Sequence, residues 1–246
     1  RLRRRVERDL RRRAISEERV LACAVRLLDR GFFRVGGEDY AEENETYGMA
    51  TMRKRHVTVN GETVTFDYPA KGGARRVQVI GDRTVARLIR TLRERRGGGH
   101  ELLAFRNGKA WRDIRSTDIN RYVKEATGGD HSAKDFRTWN ATVLAAVALA
   151  AGARENPPRS KAARARAKRL AVKEVARYLG NTPAVSRSSY IDPRIFDRFD
   201  GGLTIGGVFE RLPDDPADWP EVQGPIERAV LDLIARRDSA SVERIR

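Results

Sequence analysis

The feature that most constrains the fold of this chain is a run of three short strand patterns in its first third. Two of them flank Asn60-Gly61, a dipeptide that strongly favours a two-residue hairpin turn. The third, over residues 75–80, follows a turn in which Lys71 stands beside two glycines. The pattern predicts an antiparallel β-meander over about residues 56–80, with Lys71 at the tip of its second hairpin.

The rest of the chain has helical periodicity, so the sequence predicts an α+β protein that is mainly α-helical. Helices are expected over residues 1–13, from Ser16 to Gly31, over 82–96, from Ser116 or Thr117 to Ala126, from Ser132 through the apolar run 143–149, and up to Leu179. Less regular structure is expected for three segments: an acidic loop over 38–47, a basic connection over 154–169, and a loose tail over 203–246 around one helix at about 225–237.

An excess of positive charge limits the function classes that the chain fits. Its 246 residues include 50 Lys and Arg against 34 Asp and Glu, which gives a net charge of +16. Such an excess indicates a polyanionic partner, with nucleic acid ahead of an anionic membrane surface. No apolar run approaches the roughly 20 residues that a membrane span needs. Cys23 is the single cysteine and the three histidines lack metal-ligand spacing, so we expect no disulfide, metal or cofactor.

A helix end, a turn and a short second helix are expected between Leu179 and Tyr190. Gly180 is the residue type preferred just past a helix end, and Thr182 and Pro183 can cap and open the next helix. Tyr190 then stands at the far end of that short helix. A phenol there can act as a nucleophile. Core packing is the commoner use of a tyrosine, however, and the stretch alone favours it.

Three cations stand at places that suit the binding of a phosphate. Arg34 follows two phenylalanines directly after a predicted helix end. Arg137 lies near an apolar helical run, where a guanidinium needs an anionic partner. Lys71 can reach into a nucleic-acid groove from its hairpin, although a turn lysine is ordinarily a solvated surface charge. The basic connection is expected to contact the DNA backbone through Arg159, Lys161, Arg164 and Arg166. The alternative is that it is a solvated linker.

These segments, in this order, resemble those of the type IB DNA topoisomerases of poxviruses and bacteria. Gly31-Phe32-Phe33-Arg34, with Glu43-Asn44-Glu45-Thr46-Tyr47-Gly48 after it, is similar to the family's first-arginine segment. Lys71 falls on the hairpin of its catalytic lysine. Lys134-Asp135-Phe136-Arg137-Thr138-Trp139 is similar to its second-arginine motif, and the stretch from Gly180 to Tyr190 resembles its nucleophile segment. The resemblance covers about residues 14–200.

The resemblance implies a catalytic core of the kind shared with tyrosine recombinases. Residues 1–200 would form the DNA-cleaving domain and residues 201–246 a tail, and the resemblance implies that the N-terminal clamp domain of the family would be missing from this chain. Because the first residue is Arg, we expect the chain to be part of a longer protein. The sequence departs from the viral and eukaryotic members at Asn181, where they have histidine, although some bacterial members carry asparagine. An amide can donate to a phosphate oxygen but cannot shuttle protons at neutral pH.

The same resemblance implies the chemistry and assigns a role to each candidate residue. Tyr190 would attack a DNA phosphodiester to form a 3′-phosphotyrosyl bond, with Arg34, Arg137 and Asn181 as donors to the phosphoryl oxygens. Lys71 would act as general acid for the departing 5′ oxygen, with no need for ATP or a metal ion. Double-stranded DNA would be the partner of a cytoplasmic monomer at the bacterial nucleoid, without a membrane partner. The expected DNA contacts are Tyr40, Lys134, Arg159, Lys161, Arg164, Arg166 and Arg187.

Two other functions stay open at this point. A tyrosine recombinase or integrase would use the same catalytic core for strand exchange, but it usually has histidine three residues before the second arginine, where this chain has Lys134. A basic DNA-binding module without catalytic activity would also explain the net charge. Relaxation of supercoiled DNA, strand exchange between defined sites, or binding alone would separate these functions.

Overall fold

The computed structural model describes residues 1–211 and 219–245, apart from the side chains of 211 and 219–222. The chain forms two compact units, Arg1–Arg137 and Thr138–Arg246. Both are mainly helical and carry small antiparallel sheets, which confirms the predicted α+β class. Among the described residues, no helix combines the length and the apolar character that a membrane span requires.

The first unit combines the β-meander with several helices. Its elements are α1 (Leu2–Leu10), α2 (Glu17–Arg30), α3 (Glu38–Asn44), β1 (Val57–Asn60), β2 (Thr63–Pro69), β3 (Arg75–Gly81), α4 (Arg83–Glu94), β4 (Ala104–Asn107), β5 (Ala110–Asp113), α5 (Ser116–Thr127) and the start of α6 (Ala133–Glu155). The predicted helix ends at Ser16 and Asp82 are confirmed, since both side chains accept hydrogen bonds from backbone N–H groups of the next turn. Leu27, Leu28 and Leu92 are among the side chains that fill the core of this unit.

The meander has the predicted order β1-β2-β3, with antiparallel neighbours. Burial alternates along β2, where Val64, Phe66 and Tyr68 face inward. In the register between β2 and β3, Phe66 lies opposite Gln78 and Tyr68 lies opposite Arg76. Two polar residues of β3 therefore share the inner face with buried aromatic rings.

Two predictions for the first unit are wrong. Residues 38–47 are not simply a loop, because α3 covers most of them, and acidic residues in its first turn suit the helix dipole. Glu38 also accepts hydrogen bonds from the backbone N–H and the hydroxyl of Ser116, at 2.7 and 2.8 Å. The second wrong prediction is the cap of α5. Ser116 is the first residue of this helix, and Arg115 takes the cap position.

The sequence analysis missed the hairpin formed by β4 and β5. These two strands are antiparallel and Asn107 pairs with Ala110 across the turn. Gly108 has a φ of 61°, which glycine adopts without strain. The Asn107-Gly108 dipeptide is the same hairpin signal that located the meander, so the prediction was available from the sequence.

The second unit is built from the rest of α6 and the elements that follow. These are α7 (Lys161–Leu179), α8 (Pro183–Ser189), α9 (Arg194–Asp200), β6 (Leu203–Thr204), a short 3₁₀ segment (Gly206–Arg211), α10 (Trp219–Ala235) and β7 (Glu243–Arg244). Leu149, Val175, Ile195 and Phe199 are among its buried residues.

The structure corrects two expectations here. Most of the predicted basic connection over 154–169 is helical, because α6 continues to Glu155 and α7 starts at Lys161 after the cap Ser160. The tail is not loose at Leu203–Thr204, which pairs with Glu243–Arg244 near the other end of the segment. The part of the predicted tail at 212–218 and 246 lies outside the described residues. The division into a catalytic domain and a tail at residue 200 stays a prediction.

Candidate active site

Arg34 follows an anchored aromatic residue just after α2. Phe33 is fully buried, and its ring packs edge-on against Phe66 at 4.9 Å between centroids and stacks with Tyr68 at 6.3 Å. A side chain at Gly31 would collide with this ring, since an added Cβ would lie 2.5 Å from its Cε2 atom. The ring is thus held on the inner face of the meander, and Arg34 beside it is half-exposed.

The backbone at Arg34 is fixed by the turn that begins at Gly48. The Met49 N–H donates to the Arg34 carbonyl at 2.8 Å. Gly48 lies directly against Gly36, and an added Cβ on Gly48 would come within 2.5 Å of the Gly36 Cα and 2.8 Å of the Arg34 carbonyl oxygen. A larger residue would therefore push the arginine segment away from this turn.

Arg137 lies near the start of α6 and is 4% exposed. One of its guanidinium nitrogens, Nη1, donates to the Phe32 carbonyl oxygen. The start of the helix is fixed as the capping pattern predicted, since the Ser132 N–H donates to the Asp135 carboxylate at 2.7 Å. Lys134, an expected DNA contact, is exposed on the same turn.

The charges of Arg34 and Arg137 both affect the pKa of the Tyr68 phenol. Burial raises the pKa of Tyr68, whereas the hydrogen bond from Gln78 and the positive charges of Arg76, Arg137 and Arg34 oppose the rise. The two predicted arginines therefore lie in one neighbourhood of the first unit, and Arg76 lies there with them. Forked guanidinium groups suit the binding of a phosphate in such a place.

Lys71 lies in the turn between β2 and β3 and is exposed. The turn is closed by the Ala70 N–H, which donates to the Ala74 carbonyl at 2.9 Å. The Lys71 Nζ lies 5.3 Å from the centre of the Tyr40 ring, in a cation–π arrangement. Tyr40 itself is 41% exposed on α3. The structure thus brings together the predicted general acid and one of the expected DNA contacts.

In the second unit, Tyr190 follows the last residue of α8 and is half-buried. The buried Thr142 hydroxyl holds the backbone on both sides of Ile191, because it lies 3.4 Å from the Tyr190 carbonyl oxygen and accepts the Asp192 N–H at 3.1 Å. The same hydroxyl lies 2.9 Å from the Thr138 carbonyl oxygen one helical turn earlier. This bridge places the tyrosine at a defined point at the end of α8.

Asn181 lies in the turn between α7 and α8, and it is half-buried. Gly180 ends α7 with a φ of 62°, and the Asn181 N–H donates to the Ala176 carbonyl at 3.1 Å. The predicted start of α8 is also confirmed, since the Thr182 hydroxyl accepts from the Val185 N–H at 3.3 Å. The sequence thus predicted the local structure of the whole tyrosine segment.

The expected DNA contacts of the second unit differ in their surroundings. Arg159, Lys161 and Arg166 are exposed. Arg164 is half-buried and its Nη1 donates to the Asp200 carbonyl at 2.5 Å, which gives this arginine a role in holding the end of α9. Arg187 is exposed on α8, and its guanidinium carbon lies 5.2 Å from the centre of the Phe196 ring.

The predicted residues thus form two sets, one in each compact unit. Arg34, Tyr40, Lys71, Lys134 and Arg137 belong to the first, and Asn181, Tyr190 and the remaining basic residues to the second. Within the part of the chain that the structure describes, no group of three or more His, Cys, Asp and Glu side chains is arranged to hold a metal ion.

Residues that the sequence analysis missed connect the predicted ones. Gln78 of the meander donates to the Tyr68 hydroxyl, whose pKa is affected by the charges of Arg76 and the two predicted arginines, and Thr142 supports the Tyr190 segment. The signal for the first three was the period-2 pattern of β2 and β3, which places polar residues of β3 on the face that carries Phe66. Thr142 had no comparable signal, because its partners lie about 50 residues further along the chain.

Comparison with known proteins identifies a family that this chain matches over most of its length. The family model described as eukaryotic DNA topoisomerase I, catalytic core, matches residues 1–198. A DNA topoisomerase 1B of Acanthamoeba polyphaga mimivirus is 28% identical over 210 residues, which are 83% of this chain and 61% of the viral protein. A DNA topoisomerase 1 of Candidozyma auris is 32% identical over 129 residues, or 51% of this chain and 16% of the yeast protein.

A DNA topoisomerase 1 of Daucus carota is 28% identical over 130 residues, or 52% of this chain and 15% of the plant protein. The chain thus spans about three fifths of the viral relative and about one sixth of the two eukaryotic ones. The family model, in contrast, matches residues 1–198, which are well over half of this chain. The chain belongs to the family of the eukaryotic DNA topoisomerase I catalytic core.

Proposed function

We propose that this chain is the catalytic part of a type IB DNA topoisomerase that needs neither ATP nor a metal ion. It nicks one strand of duplex DNA, lets the free end rotate about the intact strand, and reseals the nick. The observation that carries the proposal is the hydrogen bond from Arg137 Nη1 to the Phe32 carbonyl, two residues before Arg34. The charges of both arginines also affect the pKa of the buried Tyr68 phenol. Family membership supports it.

The proposed reaction is a reversible transesterification. The Tyr190 phenol gives its proton to water and its oxygen attacks the phosphorus in line. A phosphotyrosyl ester forms on the 3′ side, and the bond from phosphorus to the 5′ oxygen breaks. The 5′-hydroxyl strand then rotates, and its oxygen later attacks the phosphotyrosine to restore the backbone. Because the tyrosyl ester conserves the bond energy, resealing needs no nucleotide.

The cations stabilise the charge that grows on the phosphoryl oxygens in the transition state. Arg34 and Arg137 donate forked hydrogen bonds that a lysine cannot reproduce. Asn181 supplies a further donor from its amide. The half-buried setting of Asn181 and the nearly complete burial of Arg137 favour such contacts, because hydrogen bonds to charge are stronger where water is excluded.

Lys71 protonates the departing 5′ oxygen as general acid, a role worth roughly 10²–10⁴-fold in rate. Its exposed position in a glycine-containing turn gives it the reach for this task, and the Tyr40 ring restricts where its ammonium group lies in the absence of DNA. The proton that Lys71 donates is returned when the 5′-hydroxyl attacks in the resealing step.

Double-stranded DNA is the proposed substrate, bound mainly through its phosphates by a monomer. The exposed Arg159, Lys161, Arg166 and Arg187 supply charge for this binding, and Tyr40 and Lys134 add contacts from the first unit. Binding through phosphates falls steeply with salt. We expect the chain by itself to bind weakly and to dissociate at moderate salt. Its kinship to tyrosine recombinases and a place at the bacterial nucleoid are parts of this proposal that rest on the sequence resemblance.

A plasmid relaxation assay with EDTA and without ATP tests the proposal. The chain should relax supercoils, and Tyr190→Phe should keep DNA binding but lose both relaxation and the covalent adduct. Tyr178→Phe is the matched control, because Tyr178 is a second tyrosine of the same unit and is exposed. Loss of the adduct in Tyr178→Phe alone would transfer the nucleophile to that residue.

The alternatives have their own outcomes in the same experiment. DNA binding without relaxation or adduct would identify a basic binding module. Strand exchange between two defined sites would identify a recombinase. Either result would overturn the topoisomerase proposal.

A further inference from the structure

A chain of hydrogen bonds connects the meander to the two arginines. The Gln78 Nε2 donates to the Tyr68 hydroxyl at 3.0 Å, and the Gln78 Oε1 accepts the Phe32 N–H at 3.1 Å. The Phe32 carbonyl accepts from Nη1 of Arg137. The peptide groups of Phe32 are therefore held on one side by Gln78 and on the other by Arg137. Arg34 follows two residues later on the same backbone.

Gln78 occupies a position that the pattern of the strand would give to an apolar residue. It lies opposite Phe66 in the register and on the same face of β3 as the buried Ile80. Placing an amide there costs free energy unless both of its ends form hydrogen bonds. Both ends do, one to a backbone N–H and one to a phenol, which also fixes the orientation of the amide.

We infer that Gln78 is a positioning residue for the reaction, which orients the phosphate-binding arginines through the Phe32 peptide and the Tyr68 hydroxyl. The inference rests on the proposed function, because it assigns Gln78 a role only if Arg34 and Arg137 bind the scissile phosphate. Nothing in the chemistry requires Gln78 to touch DNA. Its effect passes through the backbone that carries Arg34 and through the carbonyl that orients Arg137.

The geometry explains why small displacements at Gln78 matter. One arm of the Arg137 guanidinium is committed to the Phe32 carbonyl, so the plane of that group follows the peptide that Gln78 holds. Transition-state stabilisation by forked donors depends on their direction, and a displacement of about 1 Å at a reacting centre can cost on the order of 10²-fold in rate. An apolar residue of similar size at 78 would keep the packing and release the peptide.

Gln78 is an uncharged side chain at a phenol whose pKa is affected by three arginines. Arg34, Arg76 and Arg137 all lie near enough to Tyr68 to affect its ionisation, and Gln78 hydrogen-bonds to that same phenol. A carboxylate at 78 would still accept the Phe32 N–H, but its charge would compete with a DNA phosphate for the guanidinium groups. The amide accepts the Phe32 N–H and also donates to the Tyr68 hydroxyl, without this competition.

The test is single-turnover formation of the covalent adduct on a short duplex whose 5′ fragment dissociates after cleavage, measured at saturating protein. Gln78→Leu should lower the rate by about 10-fold or more and change the Kd for DNA by less than about 3-fold. Gln78→Glu should lower the rate at least as far and should also weaken DNA binding. Val79→Thr, one residue along on the exposed face of β3, is the matched control and should match the unaltered protein.

Two further measurements separate positioning from general loss of structure. Tyr68→Phe removes only the hydroxyl that accepts the hydrogen bond from Gln78. In the double variant with Gln78→Leu, it should lower the rate by less than about a further 2-fold, because the effects of residues in one hydrogen-bond network are not additive. A substrate with sulfur as the 5′ leaving atom needs no proton from a general acid, so it should not restore the rate of Gln78→Leu if the defect lies at the arginines.

Each outcome bears on a defined claim. If the unaltered protein forms no adduct at all, the proposed function fails before Gln78 is tested. If the unaltered protein is active and Gln78→Leu equals it, the inference about Gln78 is overturned. It is also overturned if rate, DNA affinity and melting temperature fall together in Gln78→Leu and Tyr68→Phe, or if the sulfur substrate restores the rate.

Discussion

The Thr142 hydroxyl lies 3.4 Å from the carbonyl oxygen of Tyr190, although the two residues are far apart in the sequence. The same oxygen accepts the Asp192 N–H at 3.1 Å and lies 2.9 Å from the Thr138 carbonyl within α6. Thr142 is only 2% exposed. A single buried hydroxyl therefore attaches the end of the tyrosine segment to α6, the longest helix among the described residues.

Replacement of Thr142 by Val should slow adduct formation and destabilise the second unit. Valine has nearly the same shape, so the main loss is the hydroxyl, and the Asp192 N–H would be left without this acceptor at a cost of about 1–3 kcal/mol. Thr142→Ser keeps the hydroxyl and should retain most of the rate. Single-turnover cleavage and thermal melting of both variants would check this, and equal rates for Val and Ser would contradict it.

Replacement of Arg34 or Arg137 should reduce cleavage far more than DNA binding. Loss of one donor to a developing oxyanion typically costs about 10²–10³-fold in rate. Arg34→Lys should restore little, because an ammonium group lacks the planar fork. Arg83→Lys, which changes an exposed arginine paired with Glu62 on the same unit, is the control. A fully active Arg34→Lys variant would argue against bidentate phosphate binding.

The general-acid role of Lys71 predicts a specific dependence on the leaving group. Lys71→Ala should slow cleavage of an ordinary phosphodiester by roughly 10²–10⁴-fold. A thiol leaves without protonation, so a substrate with sulfur at the 5′ bridging position should be cleaved by Lys71→Ala at nearly the rate of the unaltered protein. If both substrates were slowed equally, Lys71 would serve in binding rather than in proton transfer.

Local signals allowed the sequence to predict many of the elements and the segments that carry the candidate residues. Asn60-Gly61 located the meander, Ser16 and Asp82 marked helix starts, and Gly180 with Thr182 defined the turn before Tyr190. Each of these signals acts over a few residues and has a direct backbone cause. The resemblance to the topoisomerase family then assigned these segments to one predicted active site, which no single local signal could do.

What the sequence did not reveal depends on contacts between distant segments. Whether residues 38–47 form a helix depends partly on Glu38 binding Ser116, and the pairing of Leu203–Thr204 with Glu243–Arg244 joins segments with no shared pattern. Nothing in the strand pattern distinguished Gln78, because its partner Phe32 lies in the loop after α2. Such side-chain hydrogen bonds follow from the assembled fold rather than from local propensity.

His56 should make the stability of the first unit depend on pH between about 6.5 and 4. Burial first, and then the positive charges of Arg55 and Arg53, lower the pKa of His56 to about 4. Its Nδ1 accepts the Arg53 N–H at 3.2 Å, which requires that nitrogen to be unprotonated. The unfolded chain takes up this proton near its ordinary pKa of about 6.5, whereas the folded protein resists protonation.

The contribution of His56 to stability is therefore fully present above about pH 6.5. It is lost as pH falls towards 4, by up to about 3 kcal/mol. His56→Gln keeps an oxygen acceptor for the Arg53 N–H and removes the titration. We expect it to be less stable than the unaltered protein at pH 7.5, because it replaces a ring that packs 4.4 Å from the ring of Tyr47, but to lose less stability down to pH 4.5. Urea unfolding at the two pH values would measure both differences. Parallel losses in the two proteins would show that other groups cause the acid sensitivity.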